Sequence, residues 1–169
     1  TSVGVMCKQS HTEIFPVDMG MVTDTKVRTD HKVAYGTQNM TKGPAMTRDQ
    51  AVKGIEGGIA MVKELKDKGY KILATGEMGI GNTTTSSAVA SVLLNQPVEE
   101  MTGRGAGLTS EGLARKIAAI RKAIELNQPD PSDAIDVLAK VGGLDIAGMA
   151  GVFLGGAVYH VPVIMDGFI

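Results

Sequence analysis

The chain has 169 residues, 43% hydrophobic and 21% charged, which is enough to bury the core of one ordinary domain and excludes a disordered or membrane-embedded protein. Its 17 lysine and arginine residues nearly cancel 18 aspartate and glutamate residues, so the broad basic field that a nucleic-acid partner requires is missing. Glycine is over-represented, at 22 residues, and gathers in short clusters that signal close backbone approach.

Cys7 is the lone cysteine, so no internal disulfide can form and a reducing cytoplasm is expected. No apolar run reaches the roughly 18 residues of a spanning helix, and the N-terminus lacks the order of a signal peptide, so no membrane association is expected. The first residue is Thr1, and Phe168-Ile169 directly follow a strand-like run; both ends read as cut.

In chain order, residues 1–46 alternate short apolar runs with turn residues, as in Ile14-Phe15-Pro16-Val17-Asp18 and Val33-Ala34-Tyr35-Gly36, and predict short strands and loops. Thr47-Arg48-Asp49-Gln50 is a capping box that starts a helix. Its apolar stripe of Ala51, Ile55, Ile59, Val62 and Leu65 keeps helical spacing until Gly69, which suits the left-handed residue past a helix end. Tyr70 to Thr75 reads as a strand that runs into a glycine loop, Gly76 to Thr85, and a helix follows from Ala88 to Leu94. A second glycine loop, Gly103 to Gly107, precedes a helix with Ser110 as cap and Leu113, Ile117, Ile120 and Ile124 on one face.

Asp130-Pro131 predicts the start of a short helix that Gly142-Gly143 closes. Asp145 then caps a helix of small residues, Ala147, Gly148, Ala150, Gly151, Gly155, Gly156 and Ala157, so poor in bulk that it packs close against a neighbour. Val161 to Met165 reads as a buried strand ending at Asp166-Gly167. Strands alternating with helices predict an α/β fold, a parallel sheet with helical crossovers, over a single domain spanning residues 1–169.

Ligands of such a sheet bind at the carboxyl ends of its strands, where both glycine loops can lie. Gly76 to Thr85 has the strand-loop-helix context in which free backbone amides accept a phosphate. No lysine follows Gly81, so this is not a Walker-type loop, and by spacing alone a tight turn packing helix on strand fits as well. Neither glycine loop fits the Gly-x-Gly-x-x-Gly turn of a dinucleotide binder. His11, His31 and His160 have no metal-ligand spacing among themselves or with Cys7 and read as structural, and no serine-histidine-acid pattern occurs.

The whole string Gly76-Glu77-Met78-Gly79-Ile80-Gly81-Asn82-Thr83-Thr84 is far more specific than its spacing. It resembles the signature of the nicotinate mononucleotide:5,6-dimethylbenzimidazole phosphoribosyltransferases, which build the lower-ligand nucleotide of cobalamin. Four further stretches agree in order: Gly36 to Met40 with Gly43 to Thr47, Thr102 to Leu108, Gly142 to Met149, and Val163 to Gly167. The resemblance implies a Rossmann-like core and transfer of 5-phosphoribose from nicotinate mononucleotide to 5,6-dimethylbenzimidazole, giving α-ribazole 5′-phosphate and nicotinate. It implies neither cofactor nor metal, and a homodimer.

The substrate-binding residues it implies are Glu77, Met78, Gly79, Ile80, Gly81, Asn82, Gly103, Arg104, Gly105, Gly107, Lys116, Asp145, Asp166 and Gly167. The backbone around Gly79 and the Gly103–Gly107 loop would hold the phosphate, with Lys116 as countercharge. Read by itself, Lys116 is a lysine about two turns into its helix, and a solvated surface position is the ordinary alternative. Glu77 would face the ribose hydroxyls, since a carboxylate beside a phosphate dianion is repelled. Asp145 and Asp166-Gly167 would border ribose and base, and helix capping by Asp145 is compatible with that. Arg104 has no contact assigned and otherwise reads as surface charge.

Members of this family are roughly twice as long, and chain on both sides builds a smaller domain over the acceptor base. Their general base is a glutamate C-terminal to the matched stretches, so no residue of 1–169 is expected to be catalytic, and the chain reads as an inactive or weakly active portion. Ala106 stands where the loop usually has threonine. The alternative from another class is a non-catalytic nucleotide- or phosphate-binding module that keeps the cradle without the base.

Overall fold

Helix α2 (Arg48–Asp67) begins where its capping box places it: Thr47 Oγ1 accepts from Gln50 N–H at 3.2 Å, and Gln50 Oε1 accepts from Thr47 N–H at 2.9 Å. It ends in a Schellman motif at Gly69, φ +97°, where Gly69 N–H donates to Lys66 O and Tyr70 N–H to Leu65 O. The structure is a computed structural model that describes residues 2–77 and 79–169. The other elements are α1 (Ser2–Gln9), β1 (Leu73–Ala74), α3 (Thr83–Leu93), α4 (Val98–Met101), α5 (Ser110–Asn127), α6 (Ala134–Val141), α7 (Leu144–Tyr159) and β2 (Val163–Ile164).

β1 and β2 pair in parallel, Leu73 opposite Val163 and Ala74 opposite Ile164, so helices α3 to α7 form the crossover between them. The expected parallel sheet with helical crossovers is therefore present, reduced to two short strands. The reading of Val161 to Met165 as a buried strand needs correction, because only Val161 is buried while Ile164 and Met165 are exposed. With two strands in the sheet, its faces and edges are largely uncovered.

The expectation of short strands before residue 47 is also corrected. Residues 2–9 form α1, none of whose side chains is buried, and the described pairing in this region is an isolated parallel bridge between Val17 and Arg28. Order in the following loop comes from bonds to the Asp18 carboxylate rather than from a ladder. Asp18 is 2% exposed and accepts from Gly20 N–H, Met21 N–H and Thr25 Oγ1 at 2.7–3.0 Å, with Lys32 Nζ at 3.1 Å. Burial raises its carboxyl pKa, but the bonds from Met21, Lys32 and Thr25 outweigh that and leave it below the usual value.

Three helix starts shift from their expected caps. Thr109, not Ser110, caps α5 by accepting from Gly112 N–H at 3.1 Å. Asp133, not Asp130, caps α6, its Oδ1 accepting from Ile135 and Asp136 N–H. Gly143 is the N-cap residue of α7, and Asp145 lies in its first turn, where a carboxylate still favours the positive helix end.

Two buried clusters share α6. One joins Ala88 of α3, Ile120 and Ala123 of α5, and Val137 and Val141 of α6 with Met40 and Ala45. The other joins Ala51 of α2, Leu138 and Ala139 of α6, and Leu144 and Ala147 of α7 with Met46. The expected neighbour of the small-residue helix α7 is α2, which brings glycines of its own. A Cβ at Gly54 would stand 2.7 Å from Ala147 Cβ, and one at Gly58 would stand 2.0 Å from Gly148 O. Among the described residues no helix is long and apolar enough to cross a membrane.

Candidate functional site

Because β1 and β2 run in parallel, the loops leaving their carboxyl ends emerge on one edge. The loop after β1 carries Glu77 to Asn82 into α3, and the loop after β2 carries exposed Asp166 and Gly167, φ +86°. Gly79 and Gly81 take φ of +80° and +84°, and among the described residues nothing lies within 4 Å of a Cβ built at Gly76, Gly79 or Gly81. Glycine is thus needed at Gly79 and Gly81 for backbone conformation, not for packing. Ile80 is exposed as well. The expected site residue Met78 lies outside the described residues.

The Glu77 carboxylate accepts the Gly79 N–H, so a carboxylate of the loop occupies one of its own amides. Asn82 is buried and is the N-cap residue of α3, yet its side chain makes no capping bond. Its Nδ2 instead donates to Asp145 Oδ2 at 2.9 Å, while its buried Oδ1 has no partner among the described residues. Asp145 also leans over Gly143, whose Cβ would stand 2.4 Å from Asp145 Oδ1 and 3.5 Å from Thr85 Oγ1. The starts of α3 and α7 are joined through this pair, and among the described residues the first amides of α3 have no side-chain acceptor.

Lys116 is on the buried face of α5, which runs Gly112, Lys116, Ile120, Ala123, and its residue is 8% exposed. The alternative of a solvated surface lysine does not hold, because the residue is buried. Its Nζ donates to Thr83 Oγ1 at 2.7 Å and to Gly103 O at 3.1 Å, bridging the start of α3 to the second glycine loop. No carboxylate among the described residues lies within ion-pair distance, and burial pushes the ammonium below its usual value of 10.5.

In that loop Gly105 and Gly107 take φ of +56° and +101°. Arg104 folds back on its own segment, Nη1 donating to Leu108 O at 2.7 Å and Nη2 to Ser110 Oγ at 3.1 Å. It therefore braces the loop in this state instead of standing free as surface charge. Sequence reasoning missed Thr83 as a contact of Lys116, although a threonine opening the helix after a glycine loop was a usable signal.

The histidines lie elsewhere. His31 Nε2 is 3.8 Å from Asp30 Oδ2, and Asp30, His31 and Glu64 can bring ligand atoms within 4.8 Å of one another, which their spacing in sequence did not reveal. The Arg28 guanidinium bonds to both carboxylates, and through it Asp30 and Glu64 are each drawn down to about 2. That cluster already holds its cation.

A Rossmann-like α/β core with two glycine loops, and a buried lysine that bonds to the second of them and to the first residue of α3, defines the class of fold. Comparison with known proteins narrows the class. A family model described as phosphoribosyltransferase matches residues 1–169. The chain is 55% identical over 171 residues to the nicotinate-nucleotide–dimethylbenzimidazole phosphoribosyltransferase of Ruminiclostridium cellulolyticum, covering 100% of this chain and 49% of that protein. The protein of the same name from Clostridium acetobutylicum is 54% identical with the same coverage. The crystal structure of CobT from Thermus thermophilus superposes with a TM-score of 0.91 at 33% identity, over 99% of this chain and 51% of that one. The chain belongs to this phosphoribosyltransferase family. It spans about half the length of the curated relatives it matches.

Proposed function

We propose that the chain is the phosphoribosyl-binding core of a nicotinate-nucleotide–dimethylbenzimidazole phosphoribosyltransferase acting in the cytoplasm in cobalamin nucleotide-loop assembly. The observation that carries this reading is the buried, uncompensated ammonium of Lys116 against the Gly103–Gly107 loop and the start of α3. The phosphate of nicotinate mononucleotide takes that pole, with Gly79, Ile80, Gly81, Gly103, Gly105 and Gly107 offering backbone and Arg104 released from its brace as a second cation. Glu77, Asn82 and Asp145 form an acceptor pole that suits ribose hydroxyls, and Asp166-Gly167 borders the base.

The charges orient the ligand, because a dianion is attracted at Lys116 and repelled at Glu77 and Asp145. In the reaction a nitrogen of 5,6-dimethylbenzimidazole attacks the anomeric carbon. The glycosidic bond breaks with its electron pair going to the pyridinium ring, which leaves as nicotinate, and the proton of the other benzimidazole nitrogen goes to a base. We place that base, a glutamate, outside residues 1–169, so this chain binds and orients without deprotonating. No cofactor or metal enters the reaction.

Binding and turnover should then separate. Calorimetry is expected to show nicotinate mononucleotide binding to the 169-residue chain, while α-ribazole 5′-phosphate formation falls by more than the roughly 10²–10⁴-fold that a positioned general base supplies. The comparison is a version carrying the additional chain of the longer relatives. Equal rates would show that Glu77 or another residue here is the base, and a chain that binds no nucleotide would refute the reading.

A homodimer belongs to the same proposal. The small-residue face of α7 is used against α2, so a subunit contact falls to other surfaces such as exposed Phe153, Leu154 and Val158. Sedimentation equilibrium at micromolar concentration is expected to give a dimer, and a lone 17.6 kDa species counts against it.

A further inference from the structure

The Lys116 ammonium has three protons, of which one goes to Thr83 Oγ1 at 2.7 Å and one to Gly103 O at 3.1 Å. A hydroxyl that accepts from an ammonium must aim its own proton elsewhere. Among the described residues none accepts the Thr83 proton. Three of the hydroxyls that follow behave otherwise: Thr85 and Ser86 donate to Asn82 O and Ser87 to Thr83 O, at 2.8–2.9 Å. Thr83 is the first residue of α3, so no helical carbonyl lies one turn before it.

The second glycine loop closes on the same oxygen. A Cβ at Gly105 would stand 2.9 Å from Thr83 Oγ1 and 3.7 Å from Lys116 Nζ. Thr83 Oγ1 therefore sits where the start of α3, the lysine of α5 and the loop meet, with a free donor in a place otherwise short of acceptors. We propose that Thr83 is a binding and positioning residue of the phosphate site, accepting from Lys116 and donating its hydroxyl proton to a phosphate oxygen. This rests on the phosphate reading above.

The geometry gives Thr83 a second effect. No carboxylate from α3, α4, α6 or the Gly103–Gly107 loop lies within ion-pair distance of Lys116 among the described residues, and Arg104, the other cation there, is engaged with Leu108 and Ser110. Two neutral oxygens support the charge, and Thr83 Oγ1 is the nearer. Without it the ammonium, already pushed down by burial, loses its proton at a lower pH still, and anion binding goes with it.

The test is calorimetry with nicotinate mononucleotide and with inorganic phosphate as probes, on wild type, Thr83→Val and Thr83→Ser. Titrations run from about pH 8.5 to about pH 10.5, where the phosphomonoester and inorganic phosphate are both dianionic. Thr83→Val is expected to bind both probes roughly ten- to hundredfold more weakly, as for a lost bond to a charged group, and to lose binding at a lower pH than wild type. Thr83→Ser is expected to restore both affinity and pH profile. Wild-type affinity and profile in Thr83→Val overturn the inference, as does a Thr83→Ser as weak as Thr83→Val, which would show that the hydroxyl does not carry the effect. Should Thr83→Val lack a cooperative melt, Thr83→Ala replaces it under the same criteria. A wild type that binds neither probe refutes the phosphate reading itself, a different outcome from a binding wild type with an indifferent Thr83.

Discussion

Lys116→Met is expected to weaken nicotinate mononucleotide binding by about 1.5–3 kcal/mol, the scale of a hydrogen bond to a charged group, while making the protein more stable. The two effects share one cause. Lys116 is a buried cation with two neutral hydrogen-bond partners and no counter-ion among the described residues, so the unliganded fold bears its desolvation cost. Methionine keeps most of the volume and removes the charge. Replacing poorly compensated buried charge by packed apolar atoms often gains about 1–4 kcal/mol.

The sign of the pH dependence follows. Burial sets the folded-state value of Lys116 below the unfolded 10.5, so between the two the unfolded chain holds more protons and stability rises with pH. The cost is fully present below the folded value and vanishes above the unfolded one. The stability advantage of Lys116→Met should therefore be largest near neutral pH and close as pH passes the ordinary lysine value. Thermal melts and calorimetry read the two halves separately. Unchanged affinity would remove Lys116 from the phosphate site, and a lower melting temperature at neutral pH would show that its two hydrogen bonds outweigh its desolvation.

The sequence made α2 legible at both ends, because a capping box and a Schellman glycine are local devices whose partners lie within a few residues. Caps at α5, α6 and α7 shifted because several capping residue types stand side by side: Thr109 beside Ser110, Asp130 near Asp133. The N-terminal segment was misread for a different reason. Asp18 is satisfied by Lys32, and Arg28 by Glu64 of α2, and such distant pairings leave no periodic trace.

At the site, the glycine strings marked both loops and the reach of Lys116 was readable, but its burial was not. Pattern rules put lysine outside, and the buried face of α5 alternates apolar residues with Gly112 and Lys116, whereas the predicted stripe ran through Leu113 and Ile117. The glycines of α2, which by propensity only weaken a helix, make sense once α7 lies against them.

That contact yields the last prediction: Gly151→Ala and Gly58→Ala should each destabilise the protein strongly, and Gly57→Ala should not. All three gain roughly 1 kcal/mol of helix propensity, so their differences isolate packing. A Cβ at Gly151 would stand 2.0 Å from Ile55 O and 2.9 Å from Gly58 Cα, and one at Gly58 would stand 2.0 Å from Gly148 O. These are backbone atoms of a facing helix, which no rotamer change can move aside. At Gly57 the nearest atoms are His31 Cβ at 3.3 Å and Met19 Cε at 3.4 Å, side chains on a loop that can yield. Overpacking costs typically about 1–3 kcal/mol, and forcing two backbones apart also uncovers Val62 and Ala147, both fully buried. A separation of about 2 kcal/mol or more between Gly58→Ala and Gly57→Ala corresponds to a melting difference of roughly 4–8 °C at this chain length. The site should register the shift too, since Asp145 lies six residues before Gly151 on α7, about 9 Å along the axis, and ties that helix to Asn82. A Gly151→Ala variant that melts with Gly57→Ala and binds nicotinate mononucleotide like wild type would show that α2 and α7 can part without cost, and that the approach of the two backbones is not what holds this half of the core.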